Sequence, residues 1–289
     1  MEGVCDIDVR FHEPPADLRP YFTTFYRADF RVSEGRVKDA LQPEWGGVRF
    51  FRGDMPVSRI DDKVLSQRDF SAMGPTSRPI EFEIGTTRFW GIGLLPLGWA
   101  TFMSERADTM ANGVFDGTTH PAFAQFLPLS NQLSADAYNE AHELAAIVRF
   151  FRHDIPRNKV DEGRIIAIHE ALLDPEISNV VSMAWKTGLS LRTLERDCRK
   201  VFGFPPKLLL RRQRFMRSLA RFMADPSLGW IGAMDSLYFD QSQFVRDCHD
   251  FLGMPPSEYV AMDHPILEAF MRERQRLRGS AAQTLDKPA

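Results

Sequence analysis

The sequence of 289 residues predicts an α+β fold, in which an N-terminal antiparallel β barrel or sandwich precedes an all-α domain. In the first half, apolar and polar residues alternate in short runs between turn residues, as in Ile80-Glu81-Phe82-Glu83-Ile84. In the second half, a helical unit is repeated, because residues 194–206 and 244–256 share Arg-Asp-Cys, a glycine and a Pro-Pro pair in register.

The first half contains further signals for strands and helices. Residues 48–52 and 88–95 are also strand-like, and glycine-containing turns at 52–54, 73–75 and 97–98 separate the strands. A helix is expected over 104–111. Ser134 is expected to cap another helix over 135–151. This second helix would lie on its own barrel or form a dimer seam. Its predicted apolar stripe consists of Ala137, Ala141, Leu144, Ala145, Val148 and Phe151.

Each repeated unit predicts a helix-turn-helix. In the first unit, a short helix over 180–187 has Ala184 on its packed face, Gly188 supplies the turn and Ser190 caps a helix over 191–202. Gly203 and the following Pro-Pro pair end that second helix. A pair of tightly connected helices of this kind can place its second helix in the DNA major groove, although two packed hairpins are the structural alternative.

The second unit follows the same plan with one change. Ala233 is its small residue, Asp240 is its cap and its second helix is predicted over 241–251. Leu237 stands where the turn glycine is expected. This turn must therefore bear a steric cost or take another shape.

A run of positive charge connects the two units. Between Arg199 and Arg221 the sequence has no acidic residue. Such a stripe favours contact with a phosphate backbone, whereas a solvated helix face usually mixes charges of both signs. The basic residues of this stripe are Arg199, Lys200, Lys207, Arg211, Arg212, Arg214, Arg217 and Arg221.

The segment 164–259 resembles the DNA-binding domain of the AraC/XylS transcription regulators. That family combines a first helix-turn-helix, a long linker helix and a second helix-turn-helix with the pattern Gly-Phe-x-Asp-Gln-Ser-x-Phe-x-Arg and a closing Gly-x-x-Pro-x-x-Tyr. Here residues 237–246 read Leu-Tyr-Phe-Asp-Gln-Ser-Gln-Phe-Val-Arg, and 253–259 read Gly-Met-Pro-Pro-Ser-Glu-Tyr. Cys198 and Cys248 replace the phenylalanine usual in the family, so both cores lose ring volume unless Phe202 and Phe251 shift to fill it.

The resemblance implies which residues contact DNA. The base-contact positions carry Arg192, Glu195, Arg196, Gln241, Ser242, Val245 and Arg246. The phosphate-contact positions carry Ser190, Thr193, Lys207, Arg211 and Arg212. A structural salt bridge is the alternative role for Arg196 and Arg246. Since Asp240, Asp247 and Asp250 oppose phosphate, we expect the first unit to bind DNA more strongly than the second.

The N-terminal domain of this family commonly binds a small molecule, and the expected architecture here is a cupin-like barrel or sandwich. The segment 91–98 is similar to a strand and turn of one subgroup of these sensor domains, but the ligand-binding residues stay unknown. Arg49 or Arg52 can meet a ligand carboxylate, although a surface arginine is the simpler interpretation. Trp45, Trp90 and Trp99 permit an apolar pocket or plain core.

These observations predict the domain boundaries. Residues 1–133 form the β-rich regulatory domain, 134–159 a helix and linker, 160–262 the double helix-turn-helix domain, and 263–289 the end of a helix and a disordered tail. The linker itself is expected at 153–160, and the polar tail begins beyond Arg276. The expected partners are double-stranded DNA, a small-molecule effector, a second copy in a homodimer and, by resemblance, RNA polymerase, with no membrane partner.

Two other function classes are weighed against a regulator. An enzyme is disfavoured because His142-Glu143 lacks a second histidine four residues after the first, and because Cys248 and His249 project in different directions from a helix. No cofactor, metal or catalytic residue is expected. The second alternative is a helix-turn-helix adaptor that binds protein without reading DNA. Three scattered cysteines and the absence of a signal peptide or long apolar run predict a cytoplasmic protein.

Overall fold

The computed structural model describes residues 5–66, 68–134, 139–279 and 282–288. Its N-terminal half consists of two antiparallel sheets. Six strands, in the order β1-β2-β9-β4-β7-β10, form one sheet, and four, in the order β3-β8-β5-β6, form the other. The strands are β1 Cys5–His12, β2 Phe22–Val32, β3 Val37–Leu41, β4 Gly47–Gly53, β5 Val57–Ile60, β6 Lys63–Ser66, β7 Phe70–Met73, β8 Ile80–Ile84, β9 Thr87–Leu94 and β10 Val114–Asp116.

The strands predicted from alternation are confirmed. In β8, Ile80, Phe82 and Ile84 face the interior, while Glu81 is exposed and Glu83 is half-buried. Strand β9 lies between β2 and β4 and is buried along most of its length. The sequence therefore identifies both the half-buried strands and the central strand of the larger sheet.

Helices α1 Pro96–Phe102 and α2 Ala107–Met110 follow β9. The turn predicted at 97–98 is wrong, since both residues lie inside α1. Gly98 allows this helix to touch the preceding chain, because a Cβ at this position would lie 1.9 Å from the Tyr21 carbonyl oxygen. Trp99 is buried on α1, and its indole Nε1–H donates to the Glu105 carbonyl at 3.0 Å. The helix expected over 104–111 is reduced to α2.

Helix α4 Glu140–Arg149 begins later than predicted, because the Asn139 side chain caps it and Ser134 ends α3 Leu127–Ser134. Residues 135–138, including Ala137, lie outside the described residues. The predicted apolar stripe is wrong at Ala141 and Ala145, which are exposed, whereas Leu144, Val148 and Phe151 pack on the core. The buried face of α4 instead contains Glu143, Ala146 and Ile147, followed by Phe150 and Phe151.

Glu143 explains the shifted face of α4. The Trp90 indole Nε1–H donates to its Oε2 at 2.8 Å, and Arg88 Nη2 donates to its Oε1 at 3.0 Å. These two donors compensate the charge of the buried carboxylate. A pattern of apolar residues does not reveal such a buried polar side chain. Helix α4 therefore packs on the sheet of its own chain.

The helical half follows a loop after a π-helical turn, Phe150–Asp154. Part of the predicted linker is ordered by packing: Ile155 is buried, and the Asn158 side chain donates to the Ala100 and Met103 carbonyls. The helices are α5 Glu162–Leu173, α6 Val180–Thr187, α7 Leu191–Asp197, α8 Pro206–Ala224, α9 Gly229–Ala233, α10 Gln241–Leu252, α11 Pro256–Ala261 and α12 Pro265–Arg278. Within the described part of the chain, none is long and apolar enough to cross a membrane.

The hydrophobic cores do not follow the predicted domain boundary. One core extends from the larger sheet through α5 to the first helix-turn-helix and includes Trp45, Ile168 and Phe202. A separate core, containing Phe215 and Phe251, stabilises the second unit. Helix α8 connects the two cores, because Leu209 belongs to the first core and Phe215 to the second.

The expected disordered tail is wrong for residues 282–288. Thr284 is fully buried, and its carbonyl accepts a hydrogen bond from the Gln213 side chain at 2.6 Å. The backbone N–H of Trp45 donates to Gln283 Oε1 at 2.9 Å. This polar segment is therefore ordered by contacts with both halves of the protein.

Candidate DNA-binding surface

The first helix-turn-helix unit follows the sequence prediction closely. Helix α6 ends at Gly188, whose φ of 67° is in the left-handed region that glycine favours. The Ser190 hydroxyl oxygen then accepts the Thr193 backbone N–H at 3.2 Å. Helix α7 continues as the π-helical turn Cys198–Phe202 and stops at Gly203, with φ of 86°. The local capping signals thus place α6 and α7.

The second helix of this unit, α7, has one packed face and one open face. Leu194 is fully buried, whereas Arg192 and Arg196 are exposed. Glu195 accepts a hydrogen bond from Arg199 Nε at 2.8 Å, and Arg196 Nε donates to Asp197 at 2.8 Å. Arg192 and Arg196 therefore share an accessible surface with the half-buried Glu195 and Thr193 and the exposed Ser190.

The turn of the second unit takes another shape rather than a left-handed one. Among the described residues, the non-glycine positions with positive φ are Asp61 and Asn112, so Leu237 avoids the strained region. The Asp235 carboxylate instead accepts the Leu237 backbone N–H at 3.0 Å, as in an Asx turn. Arg217 Nε donates to the same carboxylate at 2.6 Å and lowers its pKa against the opposing effect of burial. The two hydrogen bonds to Asp235 thus stabilise a turn that does not need glycine.

Helix α10 exposes the predicted contact residues of the second unit. Asp240 caps it by accepting the Gln243 backbone N–H at 2.7 Å. Gln241, Ser242 and Arg246 are exposed, and Val245 is half-buried. Phe244 and Cys248 form the packed face on the opposite side. The structure thus groups the four predicted base-contact positions on the outer face of α10.

Two arginines of the basic stripe pair with a buried carboxylate of the second unit. Arg211 Nε donates to Asp247 Oδ1 at 3.0 Å, and Arg214 Nη2 donates to Asp247 Oδ2 at 2.9 Å. Asp247 is 1% exposed, and the Tyr238 hydroxyl also donates to it. The expectation that Asp247 repels phosphate is therefore wrong, because two guanidinium groups compensate it. Lys207 remains exposed.

Arg212 is misassigned as a phosphate contact in this conformation. Its side chain is fully buried and its guanidinium lies 4.0 Å from the centre of the Trp45 ring. Its Nη1 donates to the Thr76 carbonyl at 2.8 Å. Burial lowers its pKa to about 9. Arg212 joins α8 to the N-terminal domain, and its position within the basic stripe does not indicate this burial.

The two helical cysteines are packing residues. Cys198 and Cys248 are fully buried, and they lie in the same hydrophobic clusters as Phe202 and Phe251, respectively. Burial, assisted by the charge of Asp247, raises the pKa of Cys248 to about 12. His249, the next residue, is exposed. The two side chains therefore diverge, as the helical spacing predicts.

A cavity of about 100 Å³ lies between the two sheets and α12. The sequence does not reveal this cavity, because its wall combines barrel residues with α12 residues distant in the chain. Arg49 lines it but is not a surface residue, since its side chain is 17% exposed. Arg49 donates to the Tyr26 hydroxyl at 2.9 Å and to Glu44 at 3.0 Å. Phe30, Phe51, Phe270 and Met271 supply apolar walls.

Comparison with known proteins gives one family and several solved structures. Residues 183–262 match the family described as helix-turn-helix domain. No curated protein matches the chain. ToxT from Vibrio cholerae is 10% identical over 89% of this chain and 97% of its own, with a TM-score of 0.43. An unsaturated fatty acid-bound ToxT from Vibrio cholerae strain SCE256 is 9% identical over 91% and 97%, with a TM-score of 0.41.

The AraC-like transcriptional activator CuxR is 13% identical over 74% of this chain and 87% of its own, with a TM-score of 0.27. These structural scores are too low to transfer a ligand or partner. The two capped helix-turn-helix units, the closing motif at 253–259 and the family match to 183–262 instead carry the assignment. Residues 183–262 therefore form a helix-turn-helix domain of the AraC/XylS type.

Proposed function

We propose that the protein is a sequence-specific transcription regulator that reads two major-groove segments of double-stranded DNA. The observation that carries this proposal is the matching exposure of the two units. Arg192 and Arg196 lie on the open face of α7, and Gln241 and Arg246 lie on the open face of α10. Two helices presented by a duplicated unit suit two successive major grooves about 34 Å apart.

Each open face carries side chains that can distinguish bases. Arg192 and Arg196 can each donate two hydrogen bonds to guanine, and Glu195 can accept from the cytosine amino group. On α10, Gln241 can pair with adenine, Ser242 can bond to several bases, and Val245 can contact a thymine methyl. Arg246 is a second candidate guanine contact on that helix. These roles require that Glu195 and Arg196 exchange their present partners, Arg199 and Asp197, for DNA.

A groove between the two units supports a path for the phosphate backbone. It has a volume of about 280 Å³ and is lined by Lys207, Arg211, Gln243 and Asn179, among others. Lys207 is the clearest phosphate contact, because it is exposed. Ser190 and Thr193 lie at the first turn of α7, where backbone N–H groups and hydroxyls can meet a phosphate.

Sequencing of the DNA fragments that the purified protein retains from a random pool tests the proposal. We expect a bipartite site whose two parts are separated by about one helical turn. Binding should weaken steeply as the salt concentration rises, because counterions are released from DNA. Retention of no DNA at low salt would favour the alternative, a helix-turn-helix adaptor that binds protein.

The Arg192→Ala substitution tests direct base reading. We expect specific affinity to fall by about 1–3 kcal/mol and base preference to relax at one position of the site. The matched control is Arg59→Ala, since Arg59 is exposed on β5 of the N-terminal domain. A binding isotherm and site preference equal to those of the unmodified protein would remove Arg192 from the base contacts.

The N-terminal domain is proposed to modulate DNA binding through a small molecule, homodimerisation or both. The cavity between the sheets and α12 supports the first of these, because it is closed by residues of both halves. RNA polymerase is the transcription partner implied by the family. A cytoplasmic location accords with this role.

A further inference from the structure

The segment after the second helix-turn-helix unit crosses back to the N-terminal domain. We call α12 and residues 282–288 together the C-terminal strap. Ile266 and Phe270 of α12 pack into the apolar cluster between the sheets. The Phe270 ring centre lies 5.3 Å from that of Tyr26 and 6.4 Å from that of Phe89. The strap therefore forms one wall of the barrel interior.

A barrel carboxylate fixes the start of α12. Asp39 on β3 accepts the backbone N–H groups of Ile266 and Leu267, each at 2.9 Å. Asp39 also lies 3.3 Å from Nδ1 of the buried His264. Because these N–H groups are left free by helix geometry, a carboxylate from another element acts as the helix cap.

The end of the strap is fixed by polar contacts beside the cavity. Gln283 accepts the Trp45 backbone N–H at 2.9 Å and donates to Thr23 Oγ1 at 3.2 Å. Asp286 pairs with Arg274 of α12, a residue that is 6% exposed. Arg274 and Gln283 both line the cavity. The strap therefore closes the cavity with its own polar side chains.

The two helix-turn-helix units are attached to the barrel in different ways. The first shares a continuous core with the barrel through Trp45 and Phe202. The second has its own core, which includes Phe251 of α10 and also Ala282 of the strap. A direct polar contact between this second unit and the barrel is the hydrogen bond from Gln42 Nε2 to the Tyr259 hydroxyl, 3.1 Å long. The position of the second unit thus depends on the strap far more than that of the first.

We propose that the C-terminal strap is a releasable latch. Docked, it closes the barrel cavity and holds the second helix-turn-helix unit against the barrel. Released, it opens the cavity and lets the second unit turn relative to the first about α8, whose N-terminal part stays anchored by Arg212. This device couples the occupancy of the cavity to the spacing of the two DNA-reading helices. It goes beyond the proposed function and can be measured without DNA.

Hydrogen exchange of the full chain, read peptide by peptide, tests the latch. Gln283→Ala removes two neutral hydrogen bonds, and Gln283→Ala/Asp286→Ala also removes the partner of Arg274. Lys287→Ala is the matched control, since Lys287 is exposed on the same segment. We expect roughly tenfold or faster exchange in α10, α11 and α12 of the double variant, with a smaller effect of Gln283→Ala. Exchange in α6 and α7 should equal that of the control.

Two results would overturn the latch. Faster exchange confined to 282–288 would show that the segment does not hold the second unit. An equal increase in every element, α6 and α7 included, would show that both units open with the barrel as one cooperative structure. If the protein retains no DNA, the proposed function fails while the exchange result still decides the latch.

Discussion

Lys207 and Arg212 lie on the same helix and carry the same charge, yet they differ in exposure to solvent. Lys207 is exposed beside the groove between the two units, whereas Arg212 is fully buried against Trp45. The energetic consequence also differs. An exposed lysine costs little to keep charged, but a buried guanidinium without a carboxylate partner in the described contacts bears a desolvation cost that its cation–π contact only partly offsets.

Methionine substitutions at these two positions should therefore separate DNA binding from folding. Lys207→Met should reduce the slope of log affinity against log salt by about one, because one phosphate contact is lost. Arg212→Met should leave that slope unchanged. Fluorescence anisotropy on the selected DNA site, measured over a salt series, checks both. A reduced slope for Arg212→Met would mean that Arg212 leaves its buried site and contacts DNA.

The stability of the Arg212 variants gives a second, independent measurement. Arg212→Met keeps the side-chain volume and removes the buried charge, so we expect the free energy of unfolding to change by about 1 kcal/mol or less. Arg212→Ala leaves a void between α8 and Trp45 and should cost about 2–4 kcal/mol. Urea titrations measure these values. Equal losses in both variants would show that the charge, rather than the volume, stabilises this contact.

At the scale of elements, the turn of the second unit shows that an Asx turn can take the place of a left-handed glycine. Because the φ of Leu237 is not in the left-handed region, Leu237→Gly relieves no backbone strain. It should lower the free energy of unfolding by about 0.5–1 kcal/mol through chain entropy. Asp235→Ala should lower the free energy of unfolding by more, about 3–5 kcal/mol. It leaves the Leu237 backbone N–H and the largely buried Arg217 without their acceptor. Thermal unfolding compares the two. A larger loss for Leu237→Gly would contradict the Asx turn.

The elements that could be predicted are those with local causes. Helices α6 and α7 begin and end where the capping residues and glycines place them, because those signals act within a few residues. The buried face of α4 could not be predicted, since Glu143 is satisfied by Arg88 and Trp90 from a distant strand. The same holds for the candidate site. Arg192 is exposed as its spacing indicates, but the burial of Arg212 depends on Trp45, far away in sequence.

At the scale of the whole molecule, the protein is divided by its cores rather than by its sequence motifs. The barrel and first unit share one core, while the second unit is connected through α8, the strap and the junction of Asp39, His264 and Tyr259. His264 is buried and its ring stacks on Tyr259, with centres 4.3 Å apart. At this junction a titratable group contacts residues of both halves.

The charge of His264 should make the docking of the strap depend on pH. Burial lowers the pKa of His264, but the hydrogen bond and charge of Asp39, the Tyr259 carbonyl and the charge of Glu268 together raise it above its ordinary value of 6.5. The folded protein then binds a proton more tightly than the unfolded chain. The stabilisation is fully present below about pH 6.5 and is lost as the pH rises through the higher folded pKa.

His264→Gln removes the titrating group and isolates this contribution. The difference in unfolding free energy between the unmodified protein and His264→Gln should be larger at pH 5.5 than at pH 8.5, and exchange in α12 of the unmodified protein should speed up with pH beyond the intrinsic chemical rate. His249→Gln serves as the control, because His249 is exposed on α10. Since Asp39 also caps α12 through the Ile266 and Leu267 N–H groups, part of the junction persists when His264 is neutral. A difference that is the same at both pH values would mean that His264 packs at the junction without contributing its charge.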